Sequence, residues 1–358
     1  MNKDQLKAIR DRIDVLDQRI QDLINARAKC AQEVAALKNG DSVPYYRPER
    51  EAEVLRKVLA RNPGPLSGEE MARLFREIMS ACLALEQPLR IAYLGPEGTF
   101  TQAAALKHFG HSVQTAALPA IDHIFREVEA GACQYGVVPV ENSTEGVITH
   151  TLDMFLNSPL KITGEVQLRV HHNLLSAAPD ITAVKRVYSH QQSLAQCRGW
   201  LDEHLAAVER TALSSNAEAA RLVSQDKQAA AIASKEAADI YRLRVLASNI
   251  EDEPDNTTRF LVIGREEVAP SGRDKTSLLL SAANRPGALH ALLQPFAEHG
   301  ISLTRIESRP SRRAVWEYVF FMDVEGHVAD HKVAKALEQL REEAPMLKVL
   351  GSYPRAIL

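Results

Sequence analysis

The sequence is 358 residues long, enough for two or three compact units. Its net charge of -3, from 43 Lys+Arg against 46 Asp+Glu, provides no global basic field to recruit nucleic acid or a membrane surface. Cys30, Cys82, Cys133 and Cys197 are widely spaced without a CxxC or Cys/His cluster, which argues against a metal site or a disulfide framework. With no apolar leader and no run of membrane-spanning length, a cytoplasmic protein is expected.

Residues 1–88 read as helix throughout. Leu6, Ile9, Ile13, Leu16, Ile20, Leu23, Arg27, Cys30, Val34 and Leu37 recur at alternating steps of three and four, the pattern of one long helix ending near Asn39-Gly40. A second helix starts at Pro48, whose missing N–H suits a first turn, and runs to about Arg61. A third starts at Ser67, with Glu70 placed for a capping box, and runs to about Glu86. The first helix spans on the order of 54 Å. Two shorter helices cannot cover a seam of that length, so a second copy of the chain is expected against it.

From Arg90 the pattern changes to strand, turn and helix in alternation: Arg90–Leu94, the turn Gly95-Pro96-Glu97-Gly98, and a helix opened by Thr99. Tyr135–Val140, Val187–His190 with a helix through Gln196 to Leu201, Ala230–Ser234 and Thr257–Ile263 continue the design. An α/β unit with helices on both faces of a sheet is expected. Residues 265–275 read as a linker, and the last block as a βαββαβ unit of ferredoxin-like type, with an Asn284–Gly287 turn and a strand starting near Trp316.

Arg27 lies on the apolar seam of the first helix, where a buried guanidinium without a partner is costly. With Arg10 and Lys38 on the same helix and Arg50-Glu51 on the second, it suggests a pocket for a small polyanion. This set, followed by Cys82 and Glu86, resembles the all-helical chorismate mutases. The resemblance implies that Arg10, Arg27 and Arg50 bind the substrate carboxylates, one of them reaching across a dimer. It implies too that Lys38 and Glu86 meet the ether oxygen of the breaking bond, and that Glu51 holds the ring hydroxyl. Two positions depart from the family pattern: Arg47 stands where many members have aspartate, and Glu86 where many have glutamine. A glutamate donates a hydrogen bond only when protonated.

In the second block, Gly95–Thr101 (GPEGTFT), Glu141-Asn142-Ser143 and Ser189-His190 each place small polar residues where a strand meets a helix, presenting free N–H groups to an anion. There is no GxGxxG or P-loop, and no cofactor or metal is expected. Together with Gln196 and Thr257-Thr258-Arg259-Phe260, these segments resemble prephenate dehydratase. The resemblance implies a catalytic Thr258, with Thr99, Asn142, Ser143, Ser189, Gln196 and Arg259 around the substrate; Arg259 has the alternative of pinning the Thr258 loop. His171-His172 reads as structural, because adjacent residues on an extended segment face opposite ways. In the last block, Gly287-Ala288-Leu289 and Glu307-Ser308-Arg309 resemble the ACT domain, which implies a phenylalanine site.

The expectation is a multidomain chain: an all-α helical mutase domain (1–88), an α/β periplasmic-binding-protein-like dehydratase domain (89–265) and a ferredoxin-like ACT domain (275–358). Its expected small molecules are chorismate, prephenate and the effector phenylalanine, in a homodimer or higher homo-oligomer. Two alternatives stand beside this: an amino-acid-sensing binding protein without catalysis, and a dehydratase with an inactive mutase domain. Thr258-Arg259-Phe260 speaks against the first, since a binding protein needs no hydroxyl donor there. Arg47 and Glu86 motivate the second.

Overall fold

A computed structural model describes residues 3–38, 46–282, 285–310 and 318–357, with Lys38 described in its backbone alone. The expected Asn39-Gly40 helix stop, Asn284 of the predicted turn and the strand start at Trp316 lie outside these residues.

Three helices form the first block: α1 (Lys3–Lys38), α2 (Pro48–Arg61) and α3 (Gly68–Glu86). In α2, Ala52, Leu55 and Val58 recur on one face and are buried. Ser67 caps α3, its Oγ accepting from the Glu70 N–H at 3.1 Å. The return half of the capping box is not made, because the Glu70 carboxylate takes Arg73 at 2.8 Å instead. The predicted seam of α1 stays largely uncovered: Ile20 is 54% exposed and Leu23 is 70% exposed.

The helical block is bolted to the α/β block and to the segment beyond it. Tyr46, just before α2, is buried; its ring packs on Phe109 and Tyr135, and its hydroxyl meets His108 Nε2 at 3.0 Å. Arg56 on α2 donates to the Ser271 backbone oxygen at 2.5 Å, so the predicted linker is held against the helices.

The middle block holds two sheets rather than the one expected. The first orders Gln114–Leu118, Arg90–Leu94, Tyr135–Asn142, Thr257–Gly264 and Lys161–Arg169, with Gly146–Val147 added to Tyr135–Asn142. The second orders Arg244–Ala247, Asn173–Ser176, Ala229–Ala233, Arg186–His190 and Glu209–Leu213. The chain passes from one sheet to the other through Val170–His172, too short for a crossover helix, and returns through Ile250–Asn256. The two passages are laced by Val170 N–H to Asn256 O and Ile250 N–H to His172 O, each 2.8 Å. A cleft opens between the sheets beside them. The helix expected from Gln191 to Leu201 is broken at buried Cys197 into Gln191–Gln196 and Arg198–His204.

The terminal domain is a four-stranded antiparallel sheet ordered Leu303–Pro310, Tyr318–Glu325, Asp274–Ser281 and Met346–Pro354, with helices Ala288–Glu298 and His331–Glu343. This is the ferredoxin-like arrangement read from the sequence. Phe321, Leu350 and Tyr353 join the apolar core beneath the first sheet, so the two domains share one hydrophobic interior. Gly351 lets the last strand lie backbone to backbone on Lys161–Arg169, since a Cβ there would overlap the Ile162 carbonyl. Gly351→Ala is therefore expected to lower unfolding stability by about 1–3 kcal/mol, read by thermal or urea melts.

Candidate active sites

In the helical block, α1, α2 and α3 enclose a cavity of about 280 Å³ lined by Arg27, Arg47, Arg50, Glu51, Cys82 and Glu86 among others. Arg27 has no ion-pair partner among the described residues. Arg50 pairs with Glu53 at 2.5 Å on the outer face, and Arg47 with Glu49 at 2.6 Å. Arg10 is exposed and lies seventeen residues before Arg27 on α1, about 25 Å along the axis. It belongs to no wall of this cavity. The Lys38 side chain lies outside the described residues. Phe109 of the α/β block and Tyr46, just before α2, close the cavity at the junction of the two blocks.

Glu51 meets Arg76 of α3 at 3.3 Å, and Arg76 also donates to the Lys107 backbone oxygen at 2.9 Å. Burial raises the pKa of Glu51 above its ordinary value, and Arg76 opposes this. No local pattern in the sequence marks Arg76, because its partner is on another helix.

The second candidate site is the cleft between the two sheets, a cavity of about 410 Å³. Thr99, Asn142, Gln196 and Thr258 line it as expected, joined by Glu145, His172, Asn216 and Asn256. Thr258 stands directly opposite Asn142 in the pairing of Thr257–Gly264 with Tyr135–Asn142, so both side chains share one face. Asn142 Oδ1 accepts from the N–H groups of Thr144 and Glu145, each at 3.0 Å, which fixes Nδ2 as the donor end. One Nδ2 hydrogen goes to Thr258 Oγ1 at 2.7 Å and the other to Asn256 Oδ1 at 2.8 Å. Thr258 Oγ1 is thus an acceptor toward the protein, and no described residue accepts its own hydrogen. That hydrogen is available to a molecule in the cleft.

Ser143 and Ser189 are close by but do not line the cavity. Ser143 Oγ accepts from the Thr257 N–H at 2.9 Å and clips the strand that carries Thr258. Ser189 is fully buried, its Oγ held at 2.7 Å from the Ile232 carbonyl oxygen and 2.9 Å from Asn216 Oδ1. Its hydroxyl is used inside the fold, and Asn216 is the residue it presents to the cleft.

Arg259 corrects the substrate-binding expectation. As the next residue on the strand it faces the opposite side from Thr258. Its guanidinium pairs with Glu165 at 3.0 Å and with Asp323 of the terminal domain at 2.7 Å, and lies 3.2 Å from the Tyr353 hydroxyl. Burial alone would lower its pKa; Tyr353, Asp323 and Glu165 outweigh that and raise it, so it stays charged. Lys275 adds a second cation to Glu165 at 2.9 Å. Glu141, opposite Arg259 in the strand register, is held by Arg305 of the terminal domain at 3.0 Å.

Among the expected regulatory residues, Gly287 adopts φ 79° at the start of helix Ala288–Glu298, a left-handed conformation that suits glycine. Ala288 and Leu289 form the first turn. Glu307, Ser308 and Arg309 lie on Leu303–Pro310, where Arg309 meets both oxygens of Asp153 at 2.9 and 3.1 Å. Arg309 therefore ties the terminal domain to the middle one.

Three family patterns match the chain in order: chorismate mutase type II over residues 9–87, prephenate dehydratase over 91–268 and the ACT domain over 276–342. A bifunctional chorismate mutase/prephenate dehydratase of Stutzerimonas stutzeri is 60% identical, with 99% of both chains covered. Its counterpart in Pseudomonas aeruginosa is 58% identical over 100% of both. The prephenate dehydratase of Arthrobacter aurescens, solved in complex with L-Phe, superposes with a TM-score of 0.70 at 35% identity, covering 75% of this chain and 90% of that one. A protein described as a novel type of quorum quenching acylase superposes with a TM-score of 0.69 at 29% identity, covering 75% and 98%.

The Glu51–Arg76 pair yields a stability prediction. Arg76→Met leaves the half-buried carboxylate without its cation and is expected to cost about 1–3 kcal/mol. Because the folded-state pKa of Glu51 is raised, its ionised form disfavours folding, and the penalty vanishes below the unfolded-state pKa. Urea melts of the variant should therefore show stability recovering relative to wild type as pH falls through the carboxylate range and the region above it.

Proposed function

The chain belongs to the bifunctional chorismate mutase/prephenate dehydratase family and combines both enzymes. On that premise we propose that the helical cavity is its mutase site, the cleft its dehydratase site, and phenylalanine its feedback inhibitor through the ACT domain. The three working parts follow the boundaries 1–88, 89–265 and 275–358.

The observation that carries the dehydratase reading is the Thr258 hydroxyl. Prephenate loses a ring hydroxyl as its carboxylate leaves as CO2, and the departing oxygen needs a hydrogen-bond donor while the carboxylate sheds its water. Asn142 occupies the acceptor side of Thr258 and leaves its O–H to serve that oxygen. Thr99, Gln196 and the neighbouring Asn256 and Asn216 offer the polar contacts that orient the substrate. Ser143 and Ser189 act one step back, by fixing Thr257 and Asn216.

The mutase step needs no nucleophile. It needs a compact conformer of chorismate and stabilisation of charge on the ether oxygen. Arg27, Arg47 and Arg50 supply positive charge around the helical cavity, with Cys82 beside Glu86 on its wall; Glu86, when protonated, and Lys38 would face the ether oxygen, and Glu51 the ring hydroxyl. Arg10, remote from its own cavity, would complete that of a second copy. The same pairing would cover the exposed stripe of α1, which supports a dimer. No helix among the described residues is long and apolar enough to cross a membrane, and a cytoplasmic enzyme is the reading we adopt.

Feedback by phenylalanine is supported by the solved relative that binds L-Phe and by the ACT pattern itself. Gly287, Ala288, Leu289, Glu307 and Ser308 are the proposed contacts. Arg309 would act through its grip on Asp153.

Two experiments test these assignments. Thr258→Ala should reduce phenylpyruvate formation from prephenate by about 100-fold or more while leaving prephenate formation from chorismate intact, and Arg27→Ala should do the reverse. Loss of both activities in either folded variant would contradict separate sites. Gly287→Val forces a branched residue into the left-handed region at a cost of about 1–2 kcal/mol. It should weaken inhibition by phenylalanine, measured as a higher inhibitory concentration, with uninhibited dehydratase activity retained.

A further inference from the structure

His172 is 1% exposed, sits on the Val170–His172 passage between the sheets, and lines the cleft that holds Thr258. Its hydrogen-bond roles are set in turn by its neighbours. The backbone amides fix Asn142 Nδ2 as a donor, so Asn256 receives it with Oδ1 and turns Nδ2 outward. Asn256 Nδ2 donates to Gln196 Oε1 at 3.1 Å, and Gln196 Nε2 donates to the Glu145 carboxylate at 3.2 Å, two contacts that agree on the amide orientation. Gln196 Oε1 also lies 2.8 Å from His172 Nε2. An acceptor there requires that Nε2 carry the hydrogen.

The tautomer is thereby determined. With Nε2 protonated, Nδ1 of the neutral ring carries a bare lone pair, and it is buried with no partner among the described residues. Burial lowers the imidazole pKa, outweighing the opposing effects of Gln196 and Glu251, and so favours the neutral ring. The ring is held edge-on to Phe100 at 5.7 Å between centroids, and the His172 backbone N–H donates to Glu251 at 2.9 Å. A fixed, buried, unsatisfied acceptor on a residue that lines the cleft is costly unless a bound molecule satisfies it.

We propose that His172 Nδ1 accepts the O–H of the departing ring hydroxyl and so turns a lone pair of that oxygen toward the Thr258 hydroxyl. This rests on the dehydratase reading above. The hydroxyl oxygen is gripped from two sides, donating to the histidine and accepting from the threonine. Its orientation is set before the C–O bond breaks. His172 thus contacts the reacting group directly, and through Gln196 it shares one hydrogen-bonded chain with Asn256, Asn142 and Thr258.

The two nitrogens can be tested apart in the full-length protein. Glutamine places its amide near the Nε2 position, preserving the bond to Gln196 but leaving nothing at Nδ1. Asparagine places an amide oxygen near Nδ1 and gives up the bond to Gln196. Wild-type conversion of prephenate is measured first, so that failure of the dehydratase reading shows there and failure of the His172 assignment shows in the variants alone. With folding checked by melts and by unchanged mutase activity, His172→Gln is expected to lower dehydratase kcat about 10- to 100-fold, with a smaller effect on KM. His172→Asn is expected to retain more of the kcat. The opposite order, with glutamine active and asparagine impaired, would show that His172 serves only to hold Gln196 and would overturn the proposal. Equal activities in the two variants would overturn it as well.

Discussion

The pairing of Tyr135–Asn142 with Thr257–Gly264 is the constraint on which the rest of the molecule turns. Its register sets Thr258 against Asn142 and, one step along, Arg259 against Glu141. Because a strand alternates faces, the Thr258 pair points into the cleft and the Arg259 pair points away from it. The cleft occupies one side of two strands, and the terminal domain holds the other: Asp323 takes Arg259 and Arg305 takes Glu141. A shift of the terminal sheet would pull on the residues adjacent to Thr258 and Asn142, with no intervening loop to absorb it. Packed interfaces of this kind move between discrete arrangements.

Much of this was legible in the sequence, and the exceptions have physical causes. The three helices, the strand that carries Thr258 and the ferredoxin-like terminus were readable because periodicity and turn residues are local signals. The second sheet was hidden because Lys161–Arg169 and Asn173–Ser176 are separated by three residues without glycine or proline, so nothing punctuates the change of sheet. Alternation along a strand governs both Arg259 and His172. It separates Arg259 from Thr258, a consequence the motif Thr257-Thr258-Arg259-Phe260 conceals by setting the two side by side. For His171-His172 it implied that the two would face different ways, which they do: His171 meets Glu251 at 2.8 Å, while His172 enters the cleft. Asn256 and Glu145 sit inside or beside motifs singled out from the sequence; Asn216 and Arg76 were reachable only through the fold.

The fold alone does not dictate the chemistry. A solved relative of similar shape is described as an acylase, so the assignment rests on the groups lining the cleft rather than on the two-sheet frame. The amide chain through Asn142, Asn256 and Gln196 supports that reading, because its members fix one another's orientation and leave a donor on Thr258 and an acceptor on His172.

Tyr46 carries a consequence for how such chains come to be joined. It enters α2 from the helical side, yet its ring fills a socket formed by Phe109 and Tyr135 of the α/β block, and its hydroxyl bonds half-buried His108. A freestanding version of the α/β block would have to refill that socket and find His108 another partner. The joining of the two enzymes is thus built into the interior of one of them.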